Sequence, residues 1–241
     1  TGTQTISGLK TFSGGLKSTG AGADSFRAGT SAGATTQGAY ATAICFAAGQ
    51  TSQGAYAVAI GPAAGGASQG ESGIAIGNLA GNNAQGASSI ALGVNSGSAS
   101  QSIHSVAVGS GAGSTSQGTQ SVAVGRFAAQ TLQGINAVAI GISAGNASQG
   151  ANAVAIGKSA GATNQAANSI IISSLGTAVN STTAGTINIE STTAYLRANG
   201  INWFCSGSLT QLSDRRLKEN INPITDALSK VQAMNGVNFT Y

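Results

Sequence analysis

Reactive side chains gather in one stretch, Ser213 to Ile221, where S-D-R-R-L-K-E-N-I puts a serine just ahead of a lysine with two arginines between them. A serine hydroxyl is a poor nucleophile until a neighbouring base takes its proton, and a lysine can be that base only when desolvation or nearby positive charge lowers its pKa. Arg215 and Arg216 are such neighbours for Lys218. A nucleophile directly after a peptide bond can also attack the preceding carbonyl in an acyl shift, so no separate substrate site is required. The structural alternative is a basic helix start with Ser213 as its N-cap.

No other group of residues carries chemistry as clearly. His104 is alone, as expected of a solvent-facing or packed histidine. A glycosidase needs two facing carboxylates, and between Arg27 and Thr210 only Glu71 and Glu190 are available. Their separation argues against a pair, within one chain or between chains. Cys45 and Cys205 are too few and too far apart for a disulfide framework or a zinc site. Cys45 occupies a slot where other repeats carry Gly, so it reads as a small residue. No metal and no cofactor is expected.

What must position these residues is a repeat. From Asp24 to about Ser173 a 16-residue phrase recurs, as in AYAVAIGPAAGGASQG (Ala55 to Gly70) and INAVAIGISAGNASQG (Ile135 to Gly150). Its apolar pair falls at Val58/Ile60, Ile74/Ile76, Ile90/Leu92, Val106/Val108, Val122/Val124, Val138/Ile140, Val154/Ile156 and Ile170/Ile172, with degenerate copies at Thr42/Ile44 and Phe26/Ala28. Glutamine keeps the same beat from Gln37 to Gln165, and a glycine follows each strand from Gly61 to Gly157. A fixed period of this size means a solenoid.

Strict alternation in A-V-A-I-G predicts a strand, with Val and Ile on one face and Ala on the other. The expected coil has a strand of about five residues, a Gly-bounded turn needing positive φ, a short second strand near Ser-Gln and a second turn. Val and Ile are expected inside each coil, with the alanine and glycine face packing on other copies of the chain. Stacked coils would form parallel ladders, including a glutamine ladder whose amides bond along the axis. A lone coil buries too little to offset its ordering entropy, so a homotrimer is the expected closure. The fold class is therefore all-β, a parallel β-roll or β-helix of 16-residue coils, homotrimeric, with a short α/β segment at the C-terminus.

Only 7% of residues are charged and 5% aromatic, unlike an ordinary globular core. The glycines lack a Gly-X-Y period, which excludes collagen. The net charge of +4 would suit nucleic acid, but between Ala39 and Ala166 the charged side chains are Glu71, Arg126 and Lys158 alone. Nucleic acid is excluded as a partner, because it requires a charged stripe. No run approaches the length of a membrane span, so no membrane insertion is expected. The chain opens at Thr1 without methionine and stops mid-pattern at Tyr241, as a fragment of a longer protein would.

Four regions follow: a stem (1–22), the repeat domain (23–175), a β cap or neck (176–212) and a C-terminal segment (213–241). In the cap, Tyr195, Trp203 and Phe204 supply bulk that suits core packing better than glycan contact. In the last segment Ala227, Leu228, Val231 and Met234 have helical spacing, and Asn235-Gly236 supplies a stop.

Three stretches resemble known families. S-V-A-V-G and A-V-A-I-G with the following S-A-G are similar to the head repeats of YadA-type trimeric autotransporter adhesins, although the period here is slightly longer. Thr3 to Phe12, T-Q-T-I-S-G-L-K-T-F, resembles a short segment of phage and giant-virus fibre proteins. Ser213 to Ile221 closely resembles the start of the chaperone-of-endosialidase family, intramolecular chaperones that trimerise a phage tailspike or fibre and then cut themselves off. That resemblance implies Ser213 as nucleophile, Lys218 as its base and the Leu212–Ser213 bond as the scissile one, in a chaperone continuing past Tyr241.

Together these imply a virion attachment fibre or spike, from a phage tail or a large-virus capsid, whose partners are its own copies and a host cell-surface glycan or envelope component. The alternatives are a bacterial trimeric adhesin and a glycan-degrading tailspike.

Overall fold

The computed structural model describes residues 22–190 together with Ser229, Gln232 and Ala233. The chain divides into two compact units, Thr1–Tyr195 and Leu196–Tyr241. The described part of the first unit is a parallel β-solenoid of 16-residue coils, as the repeat predicts.

Two sheets run along it. The larger is 11-stranded, begins with Phe26–Ala28, Thr42–Ile44 and Val58–Ile60, and ends with Ile170–Ser173 and Ile187–Glu190. The smaller is 7-stranded, from Thr51–Gln53 to Ala147–Gln149. Registers are strict: Val106 lies beside Val122, Ala107 beside Ala123 and Val108 beside Val124. Each repeating strand is three residues long, shorter than the five expected, because positive φ interrupts the coil so often. In the coil Ala55 to Gly70 it occurs at Tyr56, Gly61, Ala63, Gly65 and Ser68. In the second sheet the middle residue is such a position, so Thr115 and Gln117 pair with Thr131 and Gln133 while Ser116 and Leu132 turn away.

The expected inside and outside are reversed. Ala57, Ala59 and Ala64 are completely buried within their coil, whereas Val58 and Ile60 point outward and are half-buried. Diameter is the reason. A Cβ added at Gly65 would stand 2.6 Å from Gln69 Oε1 and 3.3 Å from Ala59 Cβ, so a lumen this narrow holds methyl groups and no branched side chain. The core is thus a stack of alanines, with Ser at some of the same positions (Ser89, Ser96, Ser105, Ser121), each hydroxyl donating to a carbonyl three residues back.

The glutamines complete this core. Gln69 Nε2 donates to the Val58 carbonyl at 2.9 Å and to the Gly73 carbonyl at 3.1 Å, tying the strand of its own coil to the turn that begins the next. Amides also bond along the axis, from Gln101 to Gln117, Gln133 to Gln149 and Gln149 to Gln165, at 3.1 to 3.2 Å. Six of the buried Oε1 atoms, among them those of Gln53 and Gln85, accept no such bond. Five of them lie over the glycine four residues earlier, 2.6 Å from where a Cβ would stand at Gly49 and 2.7 Å at Gly81, while Gln133 has Ala129 at that position.

The two ends differ from the middle. Arg27 occupies the alanine column in the first strand, opposite Ala43, and its Nη1 donates to the Gly33 carbonyl at 3.3 Å. Ile171 takes that column beside Ala155 near the other end and is fully buried, while Val179 packs by Ala160. Such larger side chains fill the lumen near the two ends of the described solenoid, and beyond Ile171 the strand Ile187–Glu190 sets Asn188 beside it.

Of the helix expected around Asp226 to Met234, Ser229 and Gln232 are helical, and the Ala233 N–H donates to the Ser229 carbonyl at 3.0 Å.

Candidate functional surfaces

Ser213, Lys218 and the Leu212–Ser213 bond lie outside the described residues, as do Arg215, Arg216, Cys205, Tyr195, Trp203, Phe204 and residues 1–21 of the stem. The described residues place the other candidates far apart. Glu71 precedes the strand Ile74–Ile76 and Glu190 ends the last strand, seven strand steps away. At roughly 4.8 Å per step that is about 34 Å within one chain, far beyond the carboxyl spacing of a glycosidase. His104 is exposed in a turn at φ 55°. Cys45 is half-buried at φ 95°, in the column where Gly61, Gly77 and Gly93 stand, so a side chain there carries a backbone conformation that favours glycine. Among the described residues no group of His, Cys, Asp and Glu could hold a metal ion, and no helix is long and apolar enough to cross a membrane.

What the coils present is columns of side chains, and three matter. The first is the outer face of the larger sheet. From Thr42 and Ile44 to Ile170 and Ile172 it is a strip two side chains wide, about 38 Å long at roughly 4.8 Å per strand. It carries Val, Ile and Leu, and Ile140 and Ile172 are each 40% exposed. Val94, Ile142, Ile103 and Ile135 widen it on either side. Parallel sheets are ordinarily covered on both faces, and an exposed apolar patch beyond a few hundred Å² marks an interaction surface.

The second is the outer face of the smaller sheet, a run of Thr, Ser, Asn and Ala without charge, interrupted by exposed Leu132. The third is a turn column, Asp24, Tyr40, Tyr56, Ser72, Ser88, His104, Gln120, Asn136, Asn152 and Asn168, all at positive φ. Tyr40 and Tyr56 stack there, and Asn136 donates to Asn152 and Asn152 to Asn168 at 3.1 Å.

Sequence reasoning found the Val/Ile, Gln and Gly columns and passed over the turn column and the lumen plugs. Arg27 and Ile171 were detectable as the residues that break the alanine column in its first strand and in the strand after Val154–Ile156.

The decisive comparison concerns the end of the chain. Residues 213–241 match the family model of the chaperone of endosialidase. The match begins at Ser213, the residue singled out by its chemistry, and follows the solenoid in the chain. No curated protein and no solved structure matches the chain.

Proposed function

We propose that this chain is the distal part of a virion fibre or tailspike, a homotrimer whose apolar sheet faces meet and whose C-terminal chaperone removes itself at Ser213. The observation that carries the reading is the order of parts: a solenoid with an uncovered Val/Ile face, followed by a match to a family of trimerising chaperones. Three copies closing their apolar strips about a common axis would cover what one copy leaves bare. The same match favours a fibre over a bacterial autotransporter adhesin. The distance between Glu71 and Glu190 along the coils argues against glycan cleavage within one chain.

In this reading Lys218 takes the Ser213 hydroxyl proton, and the oxygen attacks the Leu212 carbonyl carbon. The Leu212–Ser213 C–N bond breaks as the serine nitrogen takes up a proton, and water then hydrolyses the resulting ester to leave a mature chain ending at Leu212. Host attachment would be shallow and multivalent, adding weak contacts through effective concentration.

Two measurements test it. Light scattering is expected to give about three times the chain mass of 23.2 kDa. In the complete gene product, mass spectrometry is expected to find a chain ending at Leu212, and Ser213→Ala or Lys218→Ala to retain the chaperone. A folded monomer would remove the trimer, and unchanged cleavage in both variants would remove the assigned dyad.

A further inference from the structure

We propose that the turn column at Tyr40 and Tyr56 is a binding platform for neutral hexopyranose rings. The inference rests on the attachment reading and gives it a ligand class and a place.

Three observations converge on these rings. First, they are exposed, Tyr40 by 52% and Tyr56 by 56%, in a chain with little aromatic content. Second, both sit at φ 59°, a left-handed conformation that costs a bulky residue about 1 to 2 kcal/mol, whereas later coils fill this column with Ser, His, Gln and Asn. Two adjacent coils carry tyrosine at that cost while leaving the rings in water.

Third, the arrangement suits one chemistry. The rings are stacked with centroids 5.1 Å apart and planes 10° from parallel. The face of Tyr56 turned away from Tyr40 lies toward the next coil, where the column carries only Ser72, whose N–H donates to the Ala55 carbonyl at 2.9 Å. A flat ring beside a short side chain is a ledge for the C–H face of a pyranose. Exposed Glu71 is next to Ser72 in the chain. Its carboxylate accepts from sugar hydroxyls and repels sugar acids. A quaternary ammonium would also be attracted to it, but such a group is held by rings that box it in, and parallel rings do not.

The test is saturation-transfer NMR on the full chain, with methyl β-D-galactopyranoside and methyl α-D-glucopyranoside as neutral probes, N-acetylneuraminic acid as the acidic one and choline as the cationic one. Transfer to a neutral glycoside is expected. It should fall about fivefold or more in Tyr56→Asn, which removes the aromatic face and keeps a residue at ease with positive φ. Absence of transfer to either glycoside overturns the proposal, as does equal transfer in Tyr56→Asn or stronger transfer to choline or N-acetylneuraminic acid. Light scattering on the variant completes the test. An unchanged mass supports a solvent-facing platform, whereas a lower mass than the parent makes the tyrosines a contact between chains and overturns it. Trimer mass and Ser213 cleavage are read separately, so this site can fail while the fibre reading stands.

Discussion

Gln117 donates from Nε2 to the Val106 carbonyl at 2.8 Å and accepts at Oε1 from Gln101 at 3.1 Å. Leucine has nearly its volume and none of its bonds. Gln117→Leu would leave the Val106 carbonyl without this donor and Gln101 with the Ile90 carbonyl as its remaining acceptor, at a cost of about 1 to 3 kcal/mol. Denaturant unfolding is expected to show that loss, and an unchanged midpoint would mean that the glutamines merely fill space. The spacing of the glutamines was enough to read a ladder. It could not reveal that most of their hydrogen bonds go to backbone carbonyls, because spacing fixes a column without saying which way it faces.

At the scale of the strand the same limit decided what was legible. V-A-V and A-V-A have the same period, so alternation identifies a strand and its two faces without choosing the inner one. Hydrophobicity alone assigns Val and Ile to the inside. The width of the coil, set by turns that return the chain within 16 residues, assigns them to the outside. The two faces should therefore respond differently to substitution. Ala123→Val adds two methyl groups to a lumen already filled by alanines, and is expected to cost about 1 to 3 kcal/mol or more by overpacking. Val124→Asp, one residue on, places a charge on the outer strip. It is expected to leave the circular dichroism of the coils intact and to lower the mass seen by light scattering from three chains toward one. The reverse pattern, a tolerated Ala123→Val and a coil unfolded by Val124→Asp, would contradict this packing. The match to the chaperone of endosialidase was legible from nine consecutive letters, Ser213 to Ile221, because the residues that carry it are contiguous in sequence.

Taken whole, the solenoid is a stack in which each middle coil meets neighbours much like itself. Non-local parallel pairing folds slowly, and coils this similar can mispair by a whole repeat at little cost. A trimerising chaperone would set the starting register, and its removal after folding would leave the mature chain without that guide. Deleting residues 103–118 removes one coil and aligns Ile90 with Val122, so a folded chain with a cooperative melt is expected. Deleting 103–110 removes half a coil, breaks every column at the junction and is expected to broaden or abolish that melt. This strict register has an evolutionary consequence. Recombination between any two copies of the repeat changes the length of the stack by whole steps of about 4.8 Å and leaves each column in line. Reach can thus be lengthened or shortened by copying or losing units of gene sequence, with no compensating change at any surface.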